Sequence, residues 1–391
     1  MEYKEQTSQI CCWGVPNEVP MSDTIIEQPI IQQISTVDRE PRLPSRRRKR
    51  SFLHSTIRTL APHEVLILVF ATLFILVSVV AEARVVQWPQ VIFQMSVVVA
   101  IVLFANILTN WKKGEFSVFL KTFYVAVLPP FFFKATEFIS FPLHGHDFDG
   151  LLIVIDRILC FGVNPTVWLY QHIPIVPVFI EYLQISYSLF YILPLILAAE
   201  LYRGARVDAG KIGNNSDLTP FTSFLIRRPY SKQLQEVFFV ILYGFLISYM
   251  GYFFLPSIGP RFTLHDYTAL SKELPGVFAT DWLRAFLDYG ENIRSGMSIS
   301  EVIHVVTRDA FPSGHTEVTL LTMLLAFKYR ARTRWPLAIL GSSLIFSTVY
   351  LRYHYVVDVL AGAILAMVVL YTSKWVRVQM VLLRSRMLSV V

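Results

Sequence analysis

Phe311-Pro312-Ser313-Gly314-His315-Thr316 and Tyr350-Leu351-Arg352-Tyr353-His354-Tyr355-Val356-Val357-Asp358 decide how this chain is read. Between His315 and His354 lie about forty mostly apolar residues, the length of one hairpin of two membrane-spanning helices at roughly twenty residues each. A hairpin returns the chain to the side it left, so both histidines are expected on one membrane face. Asp358 follows His354 at i+4, which puts carboxylate and imidazole on one side of a helix.

The rest of the chain agrees with a membrane setting. Of its 391 residues 54% are hydrophobic, above the roughly 45–50% of soluble domains. Cys11, Cys12 and Cys160 are too few for a disulfide framework. A net charge of +7 would suit nucleic acid in a soluble protein. Here the basic residues flank apolar runs, so the expected partner is the lipid bilayer and not nucleic acid.

About eight spans are expected, near 64–83, 90–109, 117–136, 177–201, 235–256, 315–329, 336–353 and 355–374. The fold class is an all-α polytopic membrane protein. Residues 1–60 read as a disordered basic tail ending in Arg46-Arg47-Arg48-Lys49-Arg50, and 375–391 as a second basic tail. Lys/Arg placement puts both termini in the cytoplasm and the acidic 257–312 connection outside. Asp149, Asp156 and Arg157 interrupt the apolar run 147–170 at helical spacing, which suits a helix lying in the interface.

Each residue at the outer face has a chemical use. A neutral imidazole at His354 can attack phosphorus. Asp358 can fix the ring's tautomer and stabilise charge on it. His315 can protonate a leaving oxygen. Ser313 and Gly314, entering a helix, can offer backbone N–H groups to phosphate oxygens. Arg261, in Pro256-Ser257-Ile258-Gly259-Pro260-Arg261-Phe262, can bind phosphate in bidentate fashion. No acidic cluster suggests a metal, and no cofactor is expected. His144 and His146, beside Asp147 and Asp149, read as an ordinary polar loop.

Phe311-Pro312-Ser313-Gly314-His315 and His354-Tyr355-Val356-Val357-Asp358-Val359-Leu360-Ala361-Gly362 resemble the second and third signature motifs of the type 2 phosphatidic acid phosphatase superfamily. The resemblance implies an integral-membrane lipid phosphatase or phosphotransferase with a six-helix core over about 117–374, preceded by two extra transmembrane helices in 61–116. It implies that His354 is the nucleophile, Asp358 its partner, His315 the general acid, and Arg261 the arginine of the first motif. Two positions depart from the pattern. Phe254 stands where the phosphatases carry a lysine, and Thr348 where they carry an arginine. Arg352, two residues before His354, is the expected substitute, ahead of Arg308.

Ser347-Thr348-Val349-Tyr350-Leu351 and Ile155-Asp156-Arg157-Ile158-Leu159-Cys160-Phe161-Gly162 are similar to the branch containing inositol phosphorylceramide synthases. The expected activity is therefore metal-independent transfer of a phosphoryl or phospho-head group from a phospholipid or lipid phosphate. Its acceptor would be an alcohol or a ceramide-like lipid. The alternatives are a lipid phosphate phosphatase and, more remotely, a non-catalytic scaffold or transporter.

Overall fold

The computed structural model describes residues 52–111, 115–210 and 229–390. Most of the expected tail 1–60 lies outside them. Within them the structure is helical, with no strand. Helices α1 (Phe52–Thr59), α2 (Pro62–Val80), α3 (Trp88–Trp111), α4 (Glu115–Phe123) and α5 (Pro129–His144) come first. Next are α6 (Asp149–Leu159), α7 (Pro165–His172), α8 (Pro177–Ser188), α9 (Ile192–Gly210) and α10 (Pro229–Gly251). The 257–312 connection carries the short helices α11 (Pro260–Thr263), α12 (Leu270–Glu273), α13 (Thr280–Gly290) and α14 (Ile299–Val305). Helices α15 (Gly314–Lys328), α16 (Arg334–Tyr350) and α17 (Val356–Val390) end the chain.

Proline sets many of these starts. Helices α2, α5, α7 and α8 each carry proline in their first turn, where the missing N–H would have no partner anyway. The same rule breaks the run 117–136, expected as one span. Pro129-Pro130 cannot continue a helix begun upstream. The chain forms α4, a 3-10 turn at Tyr124–Val127, and then α5.

Pro62–Val80, Trp88–Leu108, Lys232–Gly251 and Val356–Ser389 are long and apolar enough to cross a membrane. Pro177–Ser188 and Ile192–Gly204 make a fifth stretch if taken as one span bent by 59°. Helices α15 and α16 have 15 and 17 residues, just under the roughly 17–25 of a spanning helix in the first case and at its lower edge in the second. With these apolar helices the chain is an integral membrane protein.

Two expected tails are shorter than anticipated. Residues 52–59 are helical as α1, because Thr56 and Ile57 are buried and the helix packs on α3 and α17. Residues 375–390 continue α17, since no glycine or proline follows Gly362 to stop it.

Helix α15 is the centre of the bundle. It packs against α9, α10, α16 and α17, through the buried Val318, Leu321 and Leu325. Helix α8 packs on α16 and on α13 of the long connection, while α2 packs on α10 and α17. The start of α15 and the α16–α17 turn therefore meet at one end of the bundle, under the 257–312 connection.

Candidate active site

Backbone contacts join the three motif segments. Ser313 caps α15 by accepting a hydrogen bond from the Thr316 N–H at 3.2 Å, and its own N–H donates to the Asp358 carbonyl at 3.0 Å. The Tyr353 and His354 N–H groups donate to the Thr348 carbonyl at 2.8 and 2.9 Å, which folds the turn between α16 and α17 back on itself. Gly259 brings in the first motif. Its φ of 89° and the Tyr353 carbonyl, 2.7 Å from where a Cβ would stand, both require glycine. The Ala310 N–H donates to the Ser257 carbonyl at 3.1 Å.

This framework brings His315 and His354 together. His354 Nε2 lies 3.4 Å from His315 Nδ1. On the other side of the ring, His354 Nδ1 is 2.8 Å from the Ala310 carbonyl oxygen and 3.5 Å from Asp358 Oδ2. A carbonyl only accepts, so Nδ1 carries the proton and the Nε2 lone pair faces His315. The sequence assigned ring orientation to Asp358 alone; the nearer partner is Ala310. Burial lowers His354 to about 4, against the opposing field of Asp309 and the Ala310 hydrogen bond. The ring is thus neutral and nucleophilic at physiological pH. His315 is stacked at 4.5 Å on Tyr187 and lies 4.2 Å from Phe190, so α8 and the α8–α9 turn position it.

The arginines divide. Arg261 is 4% exposed and sits at the site, with its guanidinium 5.1 Å from the Tyr353 ring centre. It donates to Asp288 at 3.1 Å and to Glu291. Burial would lower its pKa, but Glu291 and Asp288 more than reverse that and hold it charged. Arg352 has other company: it pairs with Glu273 and lies 4.5 Å over the Tyr170 ring. Arg308 binds Asp147 at 3.1 Å and donates to the carbonyls of Ile303, His304 and Val306. Both tie the 257–312 connection down. Phe254 is 68% exposed and Thr348 is fully buried.

Helix α6 does more than its sequence suggests. Asp156 of α6 accepts from the Val356 and Val357 N–H groups at 3.0 and 2.7 Å, capping the helix that carries Asp358. Asp149 accepts from Ile258 N and Gly259 N at 3.0 and 2.9 Å, and from the Tyr355 hydroxyl at 2.8 Å. Their spacing in the sequence marks both acids only as parts of an interfacial helix. They are the ties that set the first and third motifs in register. Glu181 of α8 was not singled out, although a carboxylate in an apolar run is a signal in itself. It accepts from the N–H groups of Val277, Ala279 and Thr280 at 2.8, 2.7 and 3.2 Å, and so anchors the start of α13 over the site. Asp156→Ala is expected to cost about 1–2 kcal/mol through the lost cap. It should also lower kcat more than KM, checked by thermal unfolding and steady-state kinetics.

Residues 217–372 match the family model of the PAP2 superfamily. They carry Arg261, His315, His354 and Asp358. This part of the chain is similar to the PAP2 superfamily, the type 2 phosphatidic acid phosphatases. Members of that superfamily are generally phosphatases or phosphotransferases. No curated protein and no solved structure matches the chain.

Proposed function

We propose that this chain transfers a phosphoryl or phospho-head group from a membrane lipid through a phosphohistidine at His354 Nε2. The observation that carries the reading is the facing pair: a lone pair on His354 Nε2, with Nδ1 tied back, set 3.4 Å from His315. In the first step the Nε2–P bond forms as the P–O bond to the leaving group breaks, and His315 gives its proton to that oxygen. The substrate's negative charge favours the protonated form of His315 that this needs. In the second step an acceptor O–H gives its proton to His315, its oxygen bonds to phosphorus, and the N–P bond breaks. Arg261 neutralises the charge on the phosphoryl oxygens, exchanging its carboxylate partners for phosphate. A near-attack phosphorus stands about 3–3.5 Å from its nucleophile, so the rings part when substrate enters.

A lipid suits the surroundings. An apolar groove lined by Tyr191, Leu195 and Phe245 among others lies beside Phe190, which touches His315. No metal is required by these steps. The transferase reading, similar to inositol phosphorylceramide synthase, rests on Thr348 and Phe254 replacing two cations of the phosphatases. The lipid phosphate phosphatase is the second reading, favoured if water reaches the phosphohistidine. Supplying purified protein with lipid phosphates and phospholipids, with and without inositol and with an alcohol or ceramide-like acceptor, separates them. A new head-grouped lipid supports the transferase, free phosphate supports the phosphatase, and neither product defeats both.

The site is expected on the extracytoplasmic face, with both termini cytoplasmic. A cysteine introduced in 285–300 should react with impermeant reagent from outside, and labelling only from the cytoplasm reverses the topology. The pH profile tests the nucleophile. His354 is lowered, so it is neutral above about 4 and protonated below. The acid limb of kcat/KM is expected near that value; a limb near the ordinary histidine value of about 6.5 would argue against attack by this buried ring.

A further inference from the structure

Helix α13 has two unlike faces. Trp282, Phe286 and Tyr289, at i, i+4 and i+7, are 68%, 65% and 65% exposed, and Trp282 stacks on Phe286. Phe278, just before the helix, is 82% exposed. Exposed aromatics on one side of a helix beside a membrane-embedded bundle suit the interfacial layer of a bilayer. The opposite face carries Thr280, Arg284, Asp288 and, just past the helix, Glu291. Asp288 and Glu291 hold Arg261.

Arg284 is the unexplained member of that face. It is 5% exposed, yet none of its three guanidinium nitrogens makes a hydrogen bond of normal geometry. Its one ion contact is Asp281, at 3.7 Å and with a side chain 75% exposed. Asp288 is already committed to Arg261 and to the Tyr267 hydroxyl. Its other polar neighbour is Tyr353, whose oxygen can accept from the guanidinium while its hydroxyl donates to Gln184 at 3.2 Å. Tyr353 is the residue before His354, stacks on Tyr187 at 4.1 Å, and lies against Arg261. A buried guanidinium with so few polar partners is expensive, and an anion that completes its hydrogen bonds offsets that cost.

We propose that Arg284 is a phosphate-binding residue of this site, carried on the cover helix α13, which receives the anionic head of a lipid entering from the bilayer. It supplies a cation that the signature motifs lack at Phe254 and Thr348. The proposal rests on the phosphotransfer reading for its substrate but not for its chemistry: the guanidinium is a fork for phosphate oxygens whether or not the phosphate is then transferred.

The test uses the full-length protein in detergent, titrated with inorganic phosphate at constant ionic strength and read by thermal stabilisation. Wild type should show a phosphate-dependent rise in Tm. Arg284→Gln should weaken phosphate about tenfold or more, and Arg284→Lys should recover part of the loss. Because its polar contacts in the free protein are weak, the Tyr353 side chain and the exposed Asp281 at 3.7 Å, Arg284→Gln should lower Tm little without phosphate. An arginine with only a structural role gives the reverse: a lower Tm without phosphate and an unchanged affinity. Unchanged affinity in Arg284→Gln, or no phosphate response in wild type, overturns the proposal. Should Arg284→Gln not fold, Arg284→Lys decides alone, with wild-type affinity counting against. Phosphotransfer is read separately, by acid-labile labelling of His354 from a radiolabelled lipid phosphate. Loss of labelling in wild type defeats that reading while leaving the phosphate titration to judge Arg284.

Discussion

His354→Ala is expected to abolish turnover, by about 10⁴-fold or more, while the protein still inserts into membranes and keeps its fold. The ring is buried, but its contacts in the site are polar ones to Ala310, Asp358 and His315. Its removal therefore takes away the atom that attacks and little of the packing. His315→Ala is expected to cost roughly 10²–10⁴-fold with a lipid substrate, the usual worth of a general acid. The two variants separate on the leaving group. A nitrophenyl phosphate leaves without a proton, so His315→Ala should regain most of its activity there, and His354→Ala should not. Asp358→Ala is expected to be milder than His354→Ala, because the Ala310 carbonyl at 2.8 Å still holds Nδ1. Substantial turnover of lipid by His354→Ala would remove the phosphohistidine from the mechanism.

The helical class, the meeting of His315 with His354, and the approach of Arg261 were legible because each depends on local pattern. Apolar runs of spanning length, a hairpin's return, and an i+4 spacing follow from chain geometry alone. The break in 117–136 was written in Pro129-Pro130, but hydropathy averages over it. The continuation of α17 beyond 374 was hidden by its charges, which mark a span's end without ending a helix. Arg352 illustrates a different limit. Its place in sequence, two residues before His354, says nothing of direction, and at φ 69° the backbone turns there. The side chain lies instead with Glu273 and Tyr170.

Long-range ties were the least legible part. Asp149 and Asp156 act on backbone N–H groups about a hundred and two hundred residues away, and no spacing rule reaches that far. Arg284 stands in a connection whose sequence says only that it is acidic, among charges of both signs. Ala310 contributes through its carbonyl, which no side-chain inventory contains. What these share is that they serve the site through the 257–312 connection or through α6, and helical spacing does not say which distant backbone group a side chain will reach.

Gly362→Ala is expected to reduce kcat by about a hundredfold with a modest change in stability. A Cβ at Gly362 would stand 2.3 Å from the Ser313 carbonyl oxygen and 3.2 Å from the Thr316 Cβ. The obstacle is backbone at a helix start, so it cannot rotate away. Helix α17 must withdraw from the start of α15, and the Ser313-to-Asp358 backbone hydrogen bond of 3.0 Å stretches with it. Asp358 lies on α17 and His354 just before it, while His315 rides on α15, so the withdrawal acts directly on the 3.4 Å between the two rings. A displacement near 1 Å at reacting groups costs about 10²-fold. Overpacking costs about 1–3 kcal/mol, and alanine's better helix propensity returns about 1 kcal/mol, which is why the rate should suffer more than Tm. Gly150→Ala is the control, since a Cβ there meets nothing within 4 Å, and it should leave both rate and Tm near wild type. Wild-type kcat in Gly362→Ala would mean that the close approach of α17 to Ser313 does not set the geometry of the histidine pair.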